Sequence, residues 1–305
     1  MRDVSVLIVS WNARELLRRC LRALDGAEHE IIIVDNASTD ESAEAATREQ
    51  PTATVIREAS NLGFAGGVNR GLREATGRFV LLLNSDTVAA PGAITALARY
   101  LAQHPEHGAV GGRLVDDVGR SQRGFNVRRF PTIGSLAVEL LLLHQLWPHN
   151  PVSRHYLAMD LDDAHAQDVD QPAAACLMVR RDVLDQMHGL DEQFYPAWFE
   201  DVDLCRRIWD AGWRIAYVAD AVFEHRGRAA KDTLGLTAFS RMWYRNLRRY
   251  TAKHFGPIER ALVRGLIVIG MVLRIGVSIV TGAPGATRAY AAVLIDVLTG
   301  RSVDA

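Results

Sequence analysis

Over the first 112 residues, short runs of Val, Ile and Leu alternate with longer segments whose apolar positions recur at helical spacing. "VSVLIVS" (4–10), "EIIIVD" (30–35), "ATVIRE" (53–58) and "RFVLLLN" (78–84) are rich in β-branched residues, apolar on both faces and short, so each predicts a buried strand. Between them, "ARELLRRCLRAL" (13–24), a segment opened by Ser38, Thr39 and Asp40, and residues 65–75 predict helices. Apolar strands alternating with helices predict an α/β domain: a mostly parallel, Rossmann-like sheet with helices on both faces.

From Gly111 to about Val169 the pattern loosens. "GGRLVDDVGRSQRGFNVRRFP" is polar and glycine-rich, and "IGSLAVELLLLHQLW" (133–147) predicts one helix apolar over most of its surface. A strand (175–181), helices at 182–188 and 199–213, and a strand with a turn (214–225) follow. After Thr233 the chain reads as helix, broken at "FGP" (255–257) and "GAPG" (282–285). The expected organisation is a catalytic domain over 1–232, with halves 1–112 and 113–232, and a C-terminal helical extension over 233–305.

Ligands of such sheets bind beyond the carboxyl ends of the strands. That rule gathers Ser10-Trp11-Asn12, Asp35-Asn36 and Asn84-Ser85-Asp86 on one rim. A buried carboxylate without a partner is costly. Pro91 in a first helical turn favours a cap at Ala89 or Ala90 over one at Asp86, which leaves Asp86 for a divalent cation. Oxygen ligands suit Mg²⁺ or Mn²⁺. In "NLGFAGGVNRG" (61–71), Gly63, Gly66 and Gly67 allow close backbone approach, and a helix N-terminus there would offer N–H groups to an anion. The loop lacks the G-x-G-x-x-G spacing of a dinucleotide site.

Glu200, Asp201 and Asp203 open a predicted helix. Acids in a first turn complement the helix dipole, and Asp203 is expected to pair with Arg206 or Arg207. Glu200 and Asp201 follow Tyr195, Trp198 and Phe199, a candidate sugar platform beside a candidate general base. His225 ends a strand and precedes Arg226, Arg228 and Lys231, which would suit a pyrophosphate.

Composition changes this picture in two places. With 49% hydrophobic and 23% charged residues the chain is ordinary globular protein. From residue 241 onward, however, ten Lys/Arg face three Asp/Glu, a net +7 that leaves −8 on the rest of a chain whose total is −1. A basic tail on an acidic body points to an anionic partner such as a membrane surface and away from nucleic acid. In "IERALVRGLIVIGMVLRIGVSIV" (258–280) the apolar run between Arg264 and Arg274 is nine residues, short of the ~20 that span a bilayer. At about 100° per residue, Arg260, Arg264, Arg274 and Ser278 form one stripe. The segment is therefore expected either to lie in an anionic membrane interface or to pack on the protein or in a homodimer. Cys20, Cys176 and Cys205 show no C-x-x-C spacing, which excludes a disulfide framework or zinc knuckle and fits a reducing cytosol. The N-terminal residues run directly into strand-like sequence, so no secretion signal is expected.

Taken in order, "VSWN" (9–12), "VDNASTDES" (34–42), "NLGFAGGVNRG", "LLLNSDT" and "FEDVDLCRR" resemble the inverting GT-A glycosyltransferases of family 2, nearest the rhamnosyltransferase-like branch, over about residues 4–255. The resemblance implies a nucleotide-diphosphate sugar on the rim, with Trp11, Asp35 and Asn36 near base and ribose. Asn61, Gly66, Gly67 and Asn69 would shape the nucleotide and sugar pocket. Asp86 matches the last carboxylate of the family's D-x-D motif, with Mg²⁺ or Mn²⁺ as cofactor. Asp201 matches the base of its E-D motif, beside Glu200. Trp198 and Phe199 would meet the acceptor, a glycan or lipid-linked hydroxyl, and His225 matches a metal- or phosphate-contacting histidine. Three departures stand out: Asn84 replaces the first D-x-D carboxylate, Ala174 stands where glycine is common, and a basic run follows His225 in place of glycines and a serine. Donor choice is open between dTDP-rhamnose and UDP-sugars, at the inner face of the cytoplasmic membrane. A sugar-nucleotide nucleotidyltransferase would want a glycine-rich signature with Lys or Arg after the first strand, which "VSWNAREL" lacks. A non-catalytic sugar-nucleotide or glycan-binding scaffold would not need Asp86 and Asp201.

Overall fold

The computed structural model describes residues 3–24, 28–227 and 235–300. In chain order the elements are β1 (Val4–Ser10), α1 (Arg14–Arg22), β2 (Glu30–Asp35), α2 (Ser42–Glu49), β3 (Thr54–Arg57), α3 (Gly63–Leu72), β4 (Phe79–Asn84), β5 (Thr87–Ala89), α4 (Ala93–Gln103) and β6 (His107–Val115). Next come β7 (Val127–Arg128), α5 (Ile133–Leu140), α6 (Leu143–Leu146), α7 (Pro151–Tyr156), β8 (Gln167–Asp168), β9 (Gln171–Pro172), β10 (Cys176–Arg180), α8 (Arg181–Gln186), α9 (Glu200–Asp210) and β11 (Arg214–His225). Three helices close the chain: α10 (Leu236–His254), α11 (Pro257–Val280) and α12 (Pro284–Thr299).

Two compact units divide it, Met1–Arg129 with Leu161–Ala229, and Phe130–Asp160 with Ala230–Ala305. Residues 130–160, expected within the second catalytic half, therefore group with the C-terminal helices. The first unit holds a sheet of order β3-β2-β1-β4-β10-β6-β11-β5, with β8 also on β11. Strands β3, β2, β1 and β4 run parallel, β10 is antiparallel to both β4 and β6, and β6 pairs parallel with β11. Residues of β1, β2, β4 and β10 are almost all buried, as strands covered on both faces require. The mostly parallel α/β architecture is thus the one expected.

Three local readings are corrected. "HGAVGGRLV" (107–115), left inside the loosened stretch, is the nine-residue strand β6. Its three glycines give it poor strand propensity, yet packing requires two of them. A Cβ on Gly111 would stand 2.4 Å from the Cβ of Pro172, and one on Gly112 would stand 2.6 Å from the Phe223 ring. The single helix expected over 133–147 breaks after Leu140, because Leu142 takes a left-handed backbone (φ 62°) before α6. Helix α4 begins at Ala93 behind Gly92 (φ 78°), so neither Ala89 nor Ala90 caps it; Ala89 instead closes β5.

In the second unit, Arg241 forms a two-armed ion pair with Asp296. Arg264 donates to the carbonyls of Val297 and Leu298, and Arg274 to those of Leu140 and Glu139. These carbonyls lie in the last turns of α12 and α5, where intrahelical donors run out, and cations there also complement the helix dipole. Ser278 is buried and shares a 2.8 Å hydrogen bond with Thr287. Arg264, Arg274 and Ser278 of the stripe thus bond to neighbouring helices of the same unit, the packing alternative, with Ser278 buried and Arg264 itself still exposed. The outward side of α11 carries Ile258, Leu262, Ile269, Val272, Leu273, Val277, Ile279 and Val280, all exposed. With mean hydropathy 2.1 over its most apolar 18 residues, this 24-residue helix is long and apolar enough to cross a membrane by length and composition alone. Counting only the nine residues between arginines understated it, since both arginines are spent on carbonyls.

Replacing Gly111 with Val is expected to destabilise the first unit by about 1–3 kcal/mol through overpacking against Pro172. Urea unfolding followed by circular dichroism would show it as a lower midpoint at unchanged slope.

Candidate active site

Parallel pairing sets Ser10 opposite Asp35 and Val9 opposite Asn84, so the three polar strand ends lie side by side. After β3 the chain crosses to the other side of β1 to form β4, and crevices form at such a reversal. Two atoms on this rim are buried without a hydrogen-bond partner: Ser10 Oγ and Asp35 Oδ1. The other Asp35 oxygen accepts from the Ser38 N–H at 3.2 Å. Orphaned polar atoms at a crevice mouth are suited to ligand hydroxyl or N–H groups. Trp11 beside them is 39% exposed, and an open cleft of about 560 Å³ follows, lined by residues that include Asn12, Arg14, Thr39, Asp40 and Glu41.

The asparagines expected around a nucleotide are spent largely on the protein. Asn36, buried, accepts from the Leu62 N–H and donates to the Asn61 Oδ1 and the Gly63 carbonyl. Asn61 Oδ1 also accepts from the Gly63 N–H, and Asn69 bonds both main-chain groups of Leu190 and the Glu192 carboxylate. The Phe64 N–H goes to the Pro196 carbonyl at 2.7 Å. The start of α3 is therefore closed by protein acceptors and is not the open anion site its glycines suggested. Those glycines serve packing: a Cβ on Gly67 would stand 2.7 Å from Val9, one on Gly66 3.0 Å from Leu62, and one on Gly63 (φ 75°) 2.8 Å from Pro196 and Tyr195. Close approach is what draws the 195–199 loop onto the 61–64 turn.

Asp86 lies between β4 and β5. Antiparallel pairing of β5 with β11 sets Thr87 opposite His225, which brings His225 Nε2 to 3.5 Å from Asp86 Oδ1, both side chains buried. The Gly227 N–H donates to Asp86 Oδ2 at 3.1 Å. Gln122 Nε2 donates to the His225 carbonyl, so its Oε1 is the atom facing His225 Nδ1 at 2.9 Å. An amide oxygen only accepts, so Nδ1 carries the proton and Nε2 turns a lone pair towards the carboxylate. Burial holds the imidazole below its ordinary pKa, against the opposing pull of Asp86. Two electron-rich atoms facing each other at this distance fit a shared cation. Among the described residues no group of three or more His, Cys, Asp or Glu could hold a metal, so a cation here would draw its remaining ligands from substrate oxygens. Arg226 donates its N–H to the Asp86 carbonyl; Arg228 and Lys231 lie outside the described residues.

Asp201, half-buried, accepts from the Val202 N–H at 2.8 Å and the Ala174 N–H at 3.3 Å. The next residue, Ala175, offers its carbonyl to both Asn84 N–H and Thr87 Oγ1. Two consecutive residues thereby link the α9 carboxylate to the turn that carries Asp86. Burial raises the Asp201 carboxyl above its ordinary value, against these N–H bonds and the nearby Arg128 charge. Glu200 is buried with Oε2 unpartnered; burial first, then the Asp201 charge, push its carboxyl far up. Asp203, 0% exposed, pairs with Arg207 at 2.8 Å, the structural role expected of it, while Arg206 pairs with Asp210. Trp198 is half-buried and Tyr195 41% exposed, but Phe199 is 7% exposed and does not belong to an open platform. Its left-handed backbone (φ 75°) caps α9. Ser10 stands on the rim where the strand-end rule put it, whereas Gln122 and Phe125 were not singled out from sequence. Both lie in the polar stretch where no periodicity marked them.

Residues 5–186 match the profile of Glycosyl transferase family 2. The chain is 31% identical over 248 residues, 75% of its length and 78% of the relative's, to an N-acetylglucosaminyl-diphospho-decaprenol L-rhamnosyltransferase of Mycobacterium tuberculosis. It is 26% identical over 210 residues, 67% of the chain and 61% of the relative, to the low-salt glycan biosynthesis hexosyltransferase Agl10 of Haloferax volcanii. Among solved structures, mannosyltransferase PcManGT from Pyrobaculum calidifontis, in complex with GDP-Man and Mn²⁺, superposes with TM-score 0.56 at 18% identity, covering 99% of this chain and 76% of that one. S. aureus TarS with UDP-GlcNAc gives 0.53 at 13% identity over 99% and 93%. A crevice at the strand reversal, the Asp86 turn and the α9 carboxylates thus sit in a chain that belongs to glycosyl transferase family 2 and has its GT-A fold.

Proposed function

We propose that this glycosyltransferase inverts the anomeric carbon of a nucleotide-diphosphate sugar, dTDP-rhamnose before UDP-sugars, and passes the sugar to a hydroxyl of a lipid-linked glycan. The observation that carries the reading is the Ala174–Ala175 link, which holds a base candidate and the Asp86–His225 pair against one strand end. The rhamnosyltransferase relative, whose acceptor is by its name a diphospho-decaprenol, supports the donor and acceptor classes.

Ser10 Oγ donates to or accepts from the nucleoside, and Asp35 Oδ1 accepts from it, at the β1 and β2 ends, with Trp11 beside them. Asp201 takes the proton of the acceptor hydroxyl. That oxygen bonds to the anomeric carbon from the face opposite the leaving group, and the carbon–oxygen bond to the diphosphate breaks with its electron pair on the diphosphate. One displacement needs one base. Burial, then the Asp201 charge, favours the neutral form of Glu200, which would leave the negative charge of the pair on Asp201. Asp86 and His225 would hold Mg²⁺ or Mn²⁺, which supplies charge neutralisation for a departing diphosphate.

A lipid-linked acceptor would be met at the inner face of the cytoplasmic membrane, the location this reading gives the enzyme. We assign the contact to the outward apolar stripe of α11, whose Ile258, Leu262, Ile269 and Val272 are exposed.

Asp201→Asn is expected to lower kcat roughly 10²–10⁴-fold, the usual worth of a general base, with donor affinity retained; full turnover would overturn the assignment. A base must be deprotonated to act, so the rate falls as pH drops, and the acid limb of kcat should lie above the 3.8 of an ordinary aspartate. A thermal-shift screen of dTDP- and UDP-sugars with and without Mn²⁺ should show metal-dependent stabilisation that Asp86→Ala abolishes. Equal stabilisation without metal would remove the cation from the reading. In flotation with phosphatidylglycerol vesicles, the full chain should rise, and the variant carrying Ile269→Glu and Val272→Glu should stay behind. Equal flotation of both would free the stripe from this role, and a dimer-to-monomer change alone would assign it to a second copy.

A further inference from the structure

Beyond the two residues proposed above to hold a cation, the structure shows an unusually complete set of constraints on one of them. Gln122 grips His225 at two points. Its Nε2 donates to the main-chain carbonyl at 2.5 Å, and its Oε1 accepts from ring Nδ1 at 2.9 Å. The Phe125 ring stacks on the imidazole, 5.0 Å between centroids at 13°. On the Cε1 edge sits Gly227 (φ 66°), where an added Cβ would come within 3.1 Å of the ring. Asp86 lies across from Nε2. Of the two ring nitrogens, only Nε2 is left without a fixed partner among Gln122 and Phe125.

The grip is itself anchored. Gln122 N–H donates to the Leu114 carbonyl of β6 at 2.9 Å, and its own carbonyl accepts from the N–H groups of Phe125 and Asn126. The turn before it is tied by Asp116, whose carboxylate accepts from Val118 and Arg120 N–H, and by a bridge from Val115 to Ser121. A side chain placed so firmly, 103 residues away in sequence from the ring it holds, specifies more than contact. A glutamine facing Nδ1 with its oxygen permits only the tautomer protonated there. A metal-binding imidazole needs that arrangement, its other nitrogen donating to a fixed acceptor.

We propose that Gln122 is the positioning residue of the cation site: it fixes the His225 tautomer and ring plane so that Nε2 presents its lone pair beside Asp86 Oδ1. Phe125 assists by holding the plane. This rests on His225 as a cation ligand, and the test separates the two ideas. Mn²⁺ binding in the presence of dTDP is measured by calorimetry for the full chain and for His225→Ala, Gln122→Leu and Gln122→Glu, each first checked for an unchanged thermal melt without metal. Glutamate keeps the acceptor towards Nδ1–H, and leucine removes it. Expected are a loss of roughly 10–100-fold in Mn²⁺ affinity for Gln122→Leu, the usual cost of losing such an outer partner, and substantial rescue by Gln122→Glu. In metal-free protein, imidazole nitrogen shifts should report Nδ1–H in the wild type and in Gln122→Glu, and a tautomer mixture in Gln122→Leu. If His225→Ala binds Mn²⁺ as the wild type does, the ligand reading itself falls. If His225→Ala weakens binding and Gln122→Leu does not, the positioning role alone is overturned. Equal weakening by leucine and glutamate with unchanged tautomer would likewise overturn it. Should Gln122→Leu fail the melt check, the tautomer and affinity of Gln122→Glu and of a Phe125→Leu variant decide: a wild-type tautomer with intact affinity in both overturns the role of the stack, and a shifted tautomer in Gln122→Glu overturns that of the acceptor.

Discussion

Strands buried on both faces can place polar chemistry only at their ends, and that constraint organises the catalytic unit. β4 carries five buried apolar residues before Asn84, and β1 and β2 are sealed in the same way up to Ser10 and Asp35. Main-chain groups within the sheet are satisfied by the ladders, so ligand-binding capacity is left over only where the ladders stop. The antiparallel strand β10 fits between β4 and β6, and its entry residues Ala174 and Ala175 reach the same edge. A parallel strand in that position would have put its carboxyl end there and sent Ala174 to the far side. The base candidate and the strand-end turn thus share an edge because one strand of the sheet runs backwards.

Much of this was legible in the sequence, and the misses have physical causes. Period-two and period-3.6 patterns mark β1 to β4 and the helices between them, since those elements bury whole faces. β6 escaped because Gly111 and Gly112 answer to Pro172 and Phe223, neighbours 61 and 111 positions away; no local window contains that information. Carboxylates at strand and helix ends stood out because a charge beside an apolar run is conspicuous. The asparagines were less readable. Asn36, Asn61 and Asn69 look like ligand contacts in a motif, yet each closes a loop through hydrogen bonds to residues found only by folding. Gln122 lacked any mark, since its meaning depends on a histidine a hundred residues onward.

The C-terminal unit teaches the opposite lesson about charge. Periodicity placed Arg264, Arg274 and Ser278 on one face correctly, but left open whether that face met water, lipid or protein. Two helix ends bear on it: carbonyls in the last turns of α12 and α5 accept from guanidinium groups, which also complement the dipole there. Between the arginines, Ile267 and Met271 are buried on their side of the helix, while Ile269, Val272 and Leu273 on the other side are exposed. Of the alternatives left open for the basic stripe, its hydrogen bonds fit packing within the unit, and the exposed apolar surface of the helix is its reverse.

Charge also constrains how a cation could be held beside Asp86. Asn84 is neutral, and His225 offers a lone pair without a charge, so the protein would contribute a single negative charge to a divalent ion. Two protein donors are few for Mg²⁺ or Mn²⁺, which take most of their ligands from oxygen. The remaining charge and ligands belong to the donor's diphosphate, so ion and donor would bind each other's complexes more tightly than either binds the empty site, by the reciprocity of linked equilibria. When the sugar has left, the nucleoside diphosphate retains those oxygens, and the same coupling would hold it in place. A site with two protein carboxylates would grip the ion independently of the nucleotide. One with a carboxylate and an oriented neutral imidazole would let the ion leave with the product, and the direction of the His225 lone pair, rather than its charge, would then be the quantity for the surrounding residues to control.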